Sequence, residues 1–78
     1  MAAEAQAVVL FASTQTAIRA ERLFQARGIA GKLIPIPRQF GSDCGLAFRF
    51  AAGEIGRVQE ALAQAKVEHR GVYVISNA

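Results

Sequence analysis

Two hydrophobic rhythms alternate along this chain, one of period two and one of period three to four. Residues 7–11 are an unbroken apolar run, Ala7-Val8-Val9-Leu10-Phe11, that ends at Ser13-Thr14. The run predicts a strand feeding a helix, because Ser and Thr side chains accept hydrogen bonds from the first free helix amides. Over residues 16–27, Ala17, Ala20, Leu23 and Phe24 fall within an arc of about 120° at 100° per residue. Gly28 follows where a helix ends in a left-handed residue. Ile18 falls on the opposite side, exposed to solvent or to a partner. Residues 32–36 predict a second strand, with Pro35 inside it and Pro37 stopping it. A loop over 38–43 leads to a third strand over 45–50, in which Leu46, Phe48 and Phe50 face one way and Ala47 and Arg49 the other. After Ala51-Ala52-Gly53 a second helix is predicted over 54–66. Ile55, Val58, Leu62 and Ala65 form its buried stripe, Ala61 lies beside them, and Gly56 weakens it by about 1 kcal/mol relative to Ala. The last strand is expected over 67–75, bent or bulged at Gly71.

The order β-α-β-β-α-β is that of an α+β, ferredoxin-like plait: a four-stranded antiparallel sheet with two helices on one face. Pro35 provides a check. Proline cannot donate to a ladder and is tolerated on an edge strand, and the second strand of this topology is an edge. Residues 8–11 and 72–75 are apolar on both faces, whereas a sheet with one wet face should alternate. A second copy of the chain, in a homodimer or higher oligomer, is therefore expected to cover the open face.

The 78 residues make one domain, 1–78, with residues 1–6 a flexible N-terminal segment. A chain this short buries only about 60% of its unfolded surface. Its single cysteine forms no intrachain bridge, and Cys44 with His69 is too small a ligand set for structural zinc. Packing must supply the stability, which fits a hydrophobic fraction of 53%. One unpaired cysteine, a start without a secretory pattern and no apolar run of ~20 residues point to a cytoplasmic protein away from membranes. The net charge is +3, with the basic residues scattered rather than gathered on one face. That suits a small anionic ligand as well as it suits RNA, and argues against a nucleic-acid interface. Phe48 and Phe50 superficially suit an RNA-stacking strand, but they share the face of Leu46 and are expected in the core.

Candidate chemistry concentrates in one stretch, Ile34-Pro35-Ile36-Pro37-Arg38, then 39–43, then Cys44-Gly45. Cys44 is the only strong nucleophile. It lies at a loop-to-strand junction, Gly45 leaves room for another molecule to approach the sulfur, and Arg38 could stabilise a thiolate, the reactive form. Asp43 would act in the opposite sense if its carboxylate faces the sulfur. A lone cysteine also serves as a small buried hydrophobe. His69, expected on the last strand, has no identifiable catalytic partner, and Ser13-Thr14 reads as a cap before it reads as an anion site. No metal site and no cofactor are expected.

The chain resembles a small bacterial domain family of selenium/sulfur carrier-like proteins. The resemblance spans about residues 8–75 and rests on the opening strand into Ser13-Thr14, on Ala17 and Ala20-Glu21, and on Pro37-Arg38 spaced five residues from Cys44-Gly45. Asp43 stands where the family pattern has Ser. The resemblance implies a carrier rather than an enzyme: Cys44 accepts sulfur or selenium as a persulfide or selenopersulfide from a donor such as a cysteine desulfurase, and passes it to an acceptor protein. Arg38 then stabilises the anion, while Gly45 and the loop 39–42, including Ser42, allow docking. The alternative is a homo-oligomeric small-ligand or protein-interaction module. In it Pro35, Pro37 and Arg38 shape a rigid loop and Cys44 is packing.

Overall fold

The computed structural model describes residues 5–36, 40 and 45–75. Four strands form one antiparallel sheet: β1 (Gln6–Phe11), β2 (Lys32–Pro35), β3 (Leu46–Ala51) and β4 (Gly71–Ile75). Two helices, α1 (Thr14–Ala26) and α2 (Ile55–Ala65), complete the β-α-β-β-α-β order. The strand order β2-β3-β1-β4 is that of the ferredoxin-like plait. It puts β2 on an edge, where Pro35 pairs with Leu46 without interrupting a central ladder.

The alternation in β1 and β3 sorts the side chains into two layers. Ala7, Val9 and Phe11 join Phe48 and Phe50 under the helices. There they meet Ala17, Ala20 and Phe24 of α1 and Val58, Ala61 and Leu62 of α2, all at most 2% exposed. Phe24 and Phe48 have ring centroids 4.6 Å apart at 45°, a tilted pair of the kind aromatic quadrupoles favour. Each such phenyl ring adds about 1.5–3 kcal/mol of burial. Phe48 and Phe50 are thus core, with no stacking surface on their side of the sheet. Ile18, on the far side of α1, is 39% exposed.

The helix ends explain where the sequence pattern misplaces residues. Ser13 is the N-cap of α1: its Oγ accepts from the Thr16 amide at 3.2 Å, so the helix begins two residues earlier than the apolar spacing suggests. At its other end Gly28 has φ +74° and the Ile29 amide donates to the Phe24 carbonyl at 2.8 Å, burying Ile29. α2 ends in the same way, with Lys66 in the left-handed region at φ 56° and the Val67 amide bonded to the Leu62 carbonyl at 3.0 Å. Val67 is therefore the buried residue that closes a helix cap. The expectation of a strand from residue 67 is corrected: β4 begins at Gly71, and His69 lies in the exposed connection before it. Ala65 is likewise exposed, because the chain reverses at Lys66 and Val67 fills the end of the buried stripe instead. At the front, Gln6 already pairs with Ala51 and Ile75, and the Ala5 carbonyl accepts from the Ala52 amide at 3.0 Å.

The second face of the sheet is also apolar at its centre. Val8, Leu10 and Ala47 are buried, at 0%, 6% and 0% exposure, against Ile34, Ile36, Phe40 and Ile75. Phe40 comes from the connection between β2 and β3, so the chain folds its own residue over this face. A second copy is not needed to bury these three side chains. Among the described residues the exposed large hydrophobic side chains beyond Ile18 are Tyr73 and Val74, on β4.

Candidate functional site

Sheet register brings three chain segments to one end of the molecule. Phe11 pairs with Leu46, Pro35 pairs with Leu46 from the other side, and Leu10 pairs with Gly71. The end of β2, the start of β3 and the start of β4 therefore meet around the last turn of β1, beside the Ser13 cap of α1. Gly45, half-buried, is the last described residue before β3. A Cβ built there would stand 2.7 Å from the Phe11 carbonyl oxygen and 3.1 Å from Ile36 Cδ1. Gly45 is thus required by close approach to a backbone that cannot easily move, and it fixes the point at which the chain enters the sheet. Of the sequence-predicted site residues it is the one that falls within the described structure. Cys44, Arg38, Pro37 and Ser42, together with Asp43, lie outside the described residues.

Beside Gly45 the structure contains a feature that the sequence reading did not anticipate. A cavity of about 150 Å³ on the second sheet face is lined by Leu10, Ile36, Phe40, Arg70 and Tyr73. Phe40 and Tyr73 have ring centroids 4.9 Å apart at 32°. The backbone of Arg70 is pinned by donation from its amide to the Leu10 carbonyl at 2.7 Å. Gly71, at φ +149°, lets the Tyr73 ring lean back along the strand: a Cβ there would lie 2.7 Å from the Tyr73 hydroxyl oxygen. Ile36 joins the two regions, since it touches Gly45 on one side and lines the cavity on the other. Two signals for this cavity were present in the sequence. Phe40 is a lone aromatic in a polar loop, and Gly71 stands two residues before the chain's only tyrosine, on the same strand face.

Ser13 Oγ is engaged by the Thr16 amide and hydroxyl, which is the capping arrangement. Among the described residues no group of three His, Cys, Asp or Glu side chains could hold a metal ion, and no helix is long and apolar enough to cross a membrane. No curated protein and no solved structure matches the chain. A family model does, over residues 6–74, from the first strand to the last. On that match the chain belongs to the family described as "Putative Se/S carrier protein-like".

Proposed function

We propose that the protein relays sulfur or selenium between partner proteins, carrying it on Cys44 as a persulfide or selenopersulfide. The step needs no external oxidant. A lone pair on the Cys44 thiolate forms a new bond to the outer chalcogen of a donor persulfide. The donor's own S–S bond breaks, its electron pair leaves on the donor thiolate, and the proton of the Cys44 thiol passes to solvent or to the leaving thiolate. Release to an acceptor thiol is the same exchange in reverse. The donor class is a cysteine desulfurase or an equivalent persulfide-bearing protein, and Arg38 favours the thiolate.

The observation that carries this reading is the family match over residues 6–74, within whose bounds Pro37-Arg38 and Cys44-Gly45 fall. The packing of Gly45 against the Phe11 carbonyl supports it. The residue bonded to Cys44 is glycine for a steric reason, and it holds the entry to β3 at a fixed place while the sulfur-bearing segment precedes it. The cytoplasmic, reducing setting expected for a lone cysteine is compatible with this chemistry.

Incubation with a cysteine desulfurase and free cysteine, followed by mass spectrometry, tests the reading. The expected result is a gain of one sulfur atom on Cys44 that thiol reductants remove and that Cys44→Ala lacks. A Cys44 that is open to alkylation yet acquires no sulfur would overturn it. The homo-oligomeric interaction module makes the opposite forecast, in which Cys44→Ala leaves both association and ligand binding intact.

A further inference from the structure

We infer that the cavity lined by Leu10, Ile36, Phe40 and Tyr73 binds a small thiol- or selenol-bearing carboxylate, with Arg70 holding the carboxylate. The inference rests on the carrier reading for its choice of chalcogen, and on the cavity for everything else. Size comes first. Engineered apolar cavities of about 150 Å³ take up a benzene-sized guest, and the cavity here has that volume. A molecule the size of cysteine or a mercapto acid fits, while a peptide segment does not.

The walls then specify the chemistry. Leu10 and Ile36 offer aliphatic surface, Phe40 and Tyr73 offer two rings 4.9 Å apart, and Arg70 is the one charged residue of the lining among the described residues. Sulfur and selenium are soft and polarisable, and divalent sulfur packs favourably at aromatic edges about 5 Å from the ring. A guanidinium presents five donors in a planar fork, so it can receive a carboxylate in addition to contacts within the chain. Arg70 starts from a fixed backbone, pinned to the Leu10 carbonyl. Tyr73 is held over the cavity because Gly71 lacks a Cβ. Ile36 finally connects the cavity to Gly45, the residue bonded to Cys44. A ligand seated there would lie one side chain, Ile36, from Gly45.

The chain supplies its own reporter, because Tyr73 is its only tyrosine and it has no tryptophan. Under anaerobic reducing conditions, Tyr73 emission is followed while L-cysteine is titrated into the full-length Cys44→Ser protein, which cannot form mixed disulfides. The expected result is a saturable change with a dissociation constant near or below about 1 mM. Cysteamine, which lacks the carboxylate, should bind at least about tenfold more weakly, the size of one charge-assisted hydrogen bond, and serine, which lacks the sulfur, should bind more weakly through loss of the sulfur–ring contact, by up to about tenfold. Arg70→Ala should weaken L-cysteine binding by a similar factor, Arg70→Lys should restore part of it, and Arg22→Ala on α1 should change nothing. Circular dichroism confirms that each variant is folded. No saturable change up to about 10 mM, or equal binding of cysteine and cysteamine, would overturn the inference.

The two readings fail separately. Sulfur loading of Cys44 by a protein donor without any Tyr73 response removes the cavity inference and leaves the carrier intact. A cysteine-specific response that depends on Arg70, with no sulfur ever found on Cys44, upholds the cavity and removes the carrier.

Discussion

Glycines at this end of the molecule do two different jobs, and substitution separates them. Gly45 is hemmed in by the Phe11 carbonyl and by Ile36, so an added methyl must displace backbone. Gly45→Ala should cost about 1–3 kcal/mol, as overpacking of a closed site does. Gly56, in the first turn of α2, has nothing within 4 Å of its Cβ position and carries no left-handed φ. Gly56→Ala should stabilise the protein by about 0.5–1 kcal/mol through helix propensity. Urea denaturation of the two variants checks both signs in one experiment, and a stable Gly45→Ala would mean that the entry to β3 is not fixed as described. The charges around the cysteine make a second pair. On the proposed relay Arg38 is expected to favour the thiolate, and Asp43 to disfavour it if its carboxylate faces the sulfur, so Arg38→Ala should slow alkylation of Cys44 at neutral pH and Asp43→Asn should hasten it, each by about three- to tenfold. Rates followed against pH give the sign directly. A wild-type midpoint below the ~8.5 of an ordinary thiol would favour the relay.

Helix ends explain what sequence periodicity could and could not reveal about the elements. The strand and helix order, the edge position of Pro35 and the inward face of Phe48 and Phe50 were all legible, because each follows from a rule about backbone donors or about alternation. Residues 67–70 were not legible. Val67 adjoins an apolar strand in sequence, yet its amide bonds to the Leu62 carbonyl and its side chain closes the end of α2. The signal that identified the matching cap on α1 was Gly28, and α2 lacks it because Lys66 occupies the left-handed position at φ 56°. A side chain there carries a cost of about 1–2 kcal/mol that glycine avoids. Lys66→Gly should therefore raise stability by about 1 kcal/mol, less the entropy glycine adds to the unfolded chain. Thermal unfolding checks it, and a lower midpoint would show that the Lys66 side chain contributes more than its backbone costs. The candidate site was half legible. Its motif is local in sequence, but the cavity beside it joins Leu10, Ile36, Phe40 and Arg70 across three connections, which no single window of the chain contains.

At the scale of the whole molecule, the question is what covers the second sheet face. The apolar runs in β1 and β4 suggested a second copy of the chain, because two-faced hydrophobic strands need two covers. One cover is the helix layer. For Val8, Leu10 and Ala47 the other includes Ile36 and Phe40, which the connection between β2 and β3 brings back over the sheet. In sequence, Pro37-Arg38 and Cys44 belong to the same connection as Phe40. Phe40 is only half-buried and meets the partly exposed ring of Tyr73 at 4.9 Å, next to the uncharged edge of β4. Removing that ring should uncover Leu10 and the inner side of Tyr73 and extend the exposed apolar surface already present at Tyr73. Exposed apolar patches of this kind, beside an unpaired strand edge, promote association. Phe40→Ala should therefore sediment with a larger apparent mass than the wild type at equal concentration, and should lose about 1–2 kcal/mol of stability, less than the full cost of a buried phenylalanine. Analytical ultracentrifugation across a concentration series decides it. If the wild type and Phe40→Ala sediment alike, the Phe40 ring is not what keeps the sheet face from a partner. The cover must then come from the aliphatic residues Ile34, Ile36 and Ile75 alone.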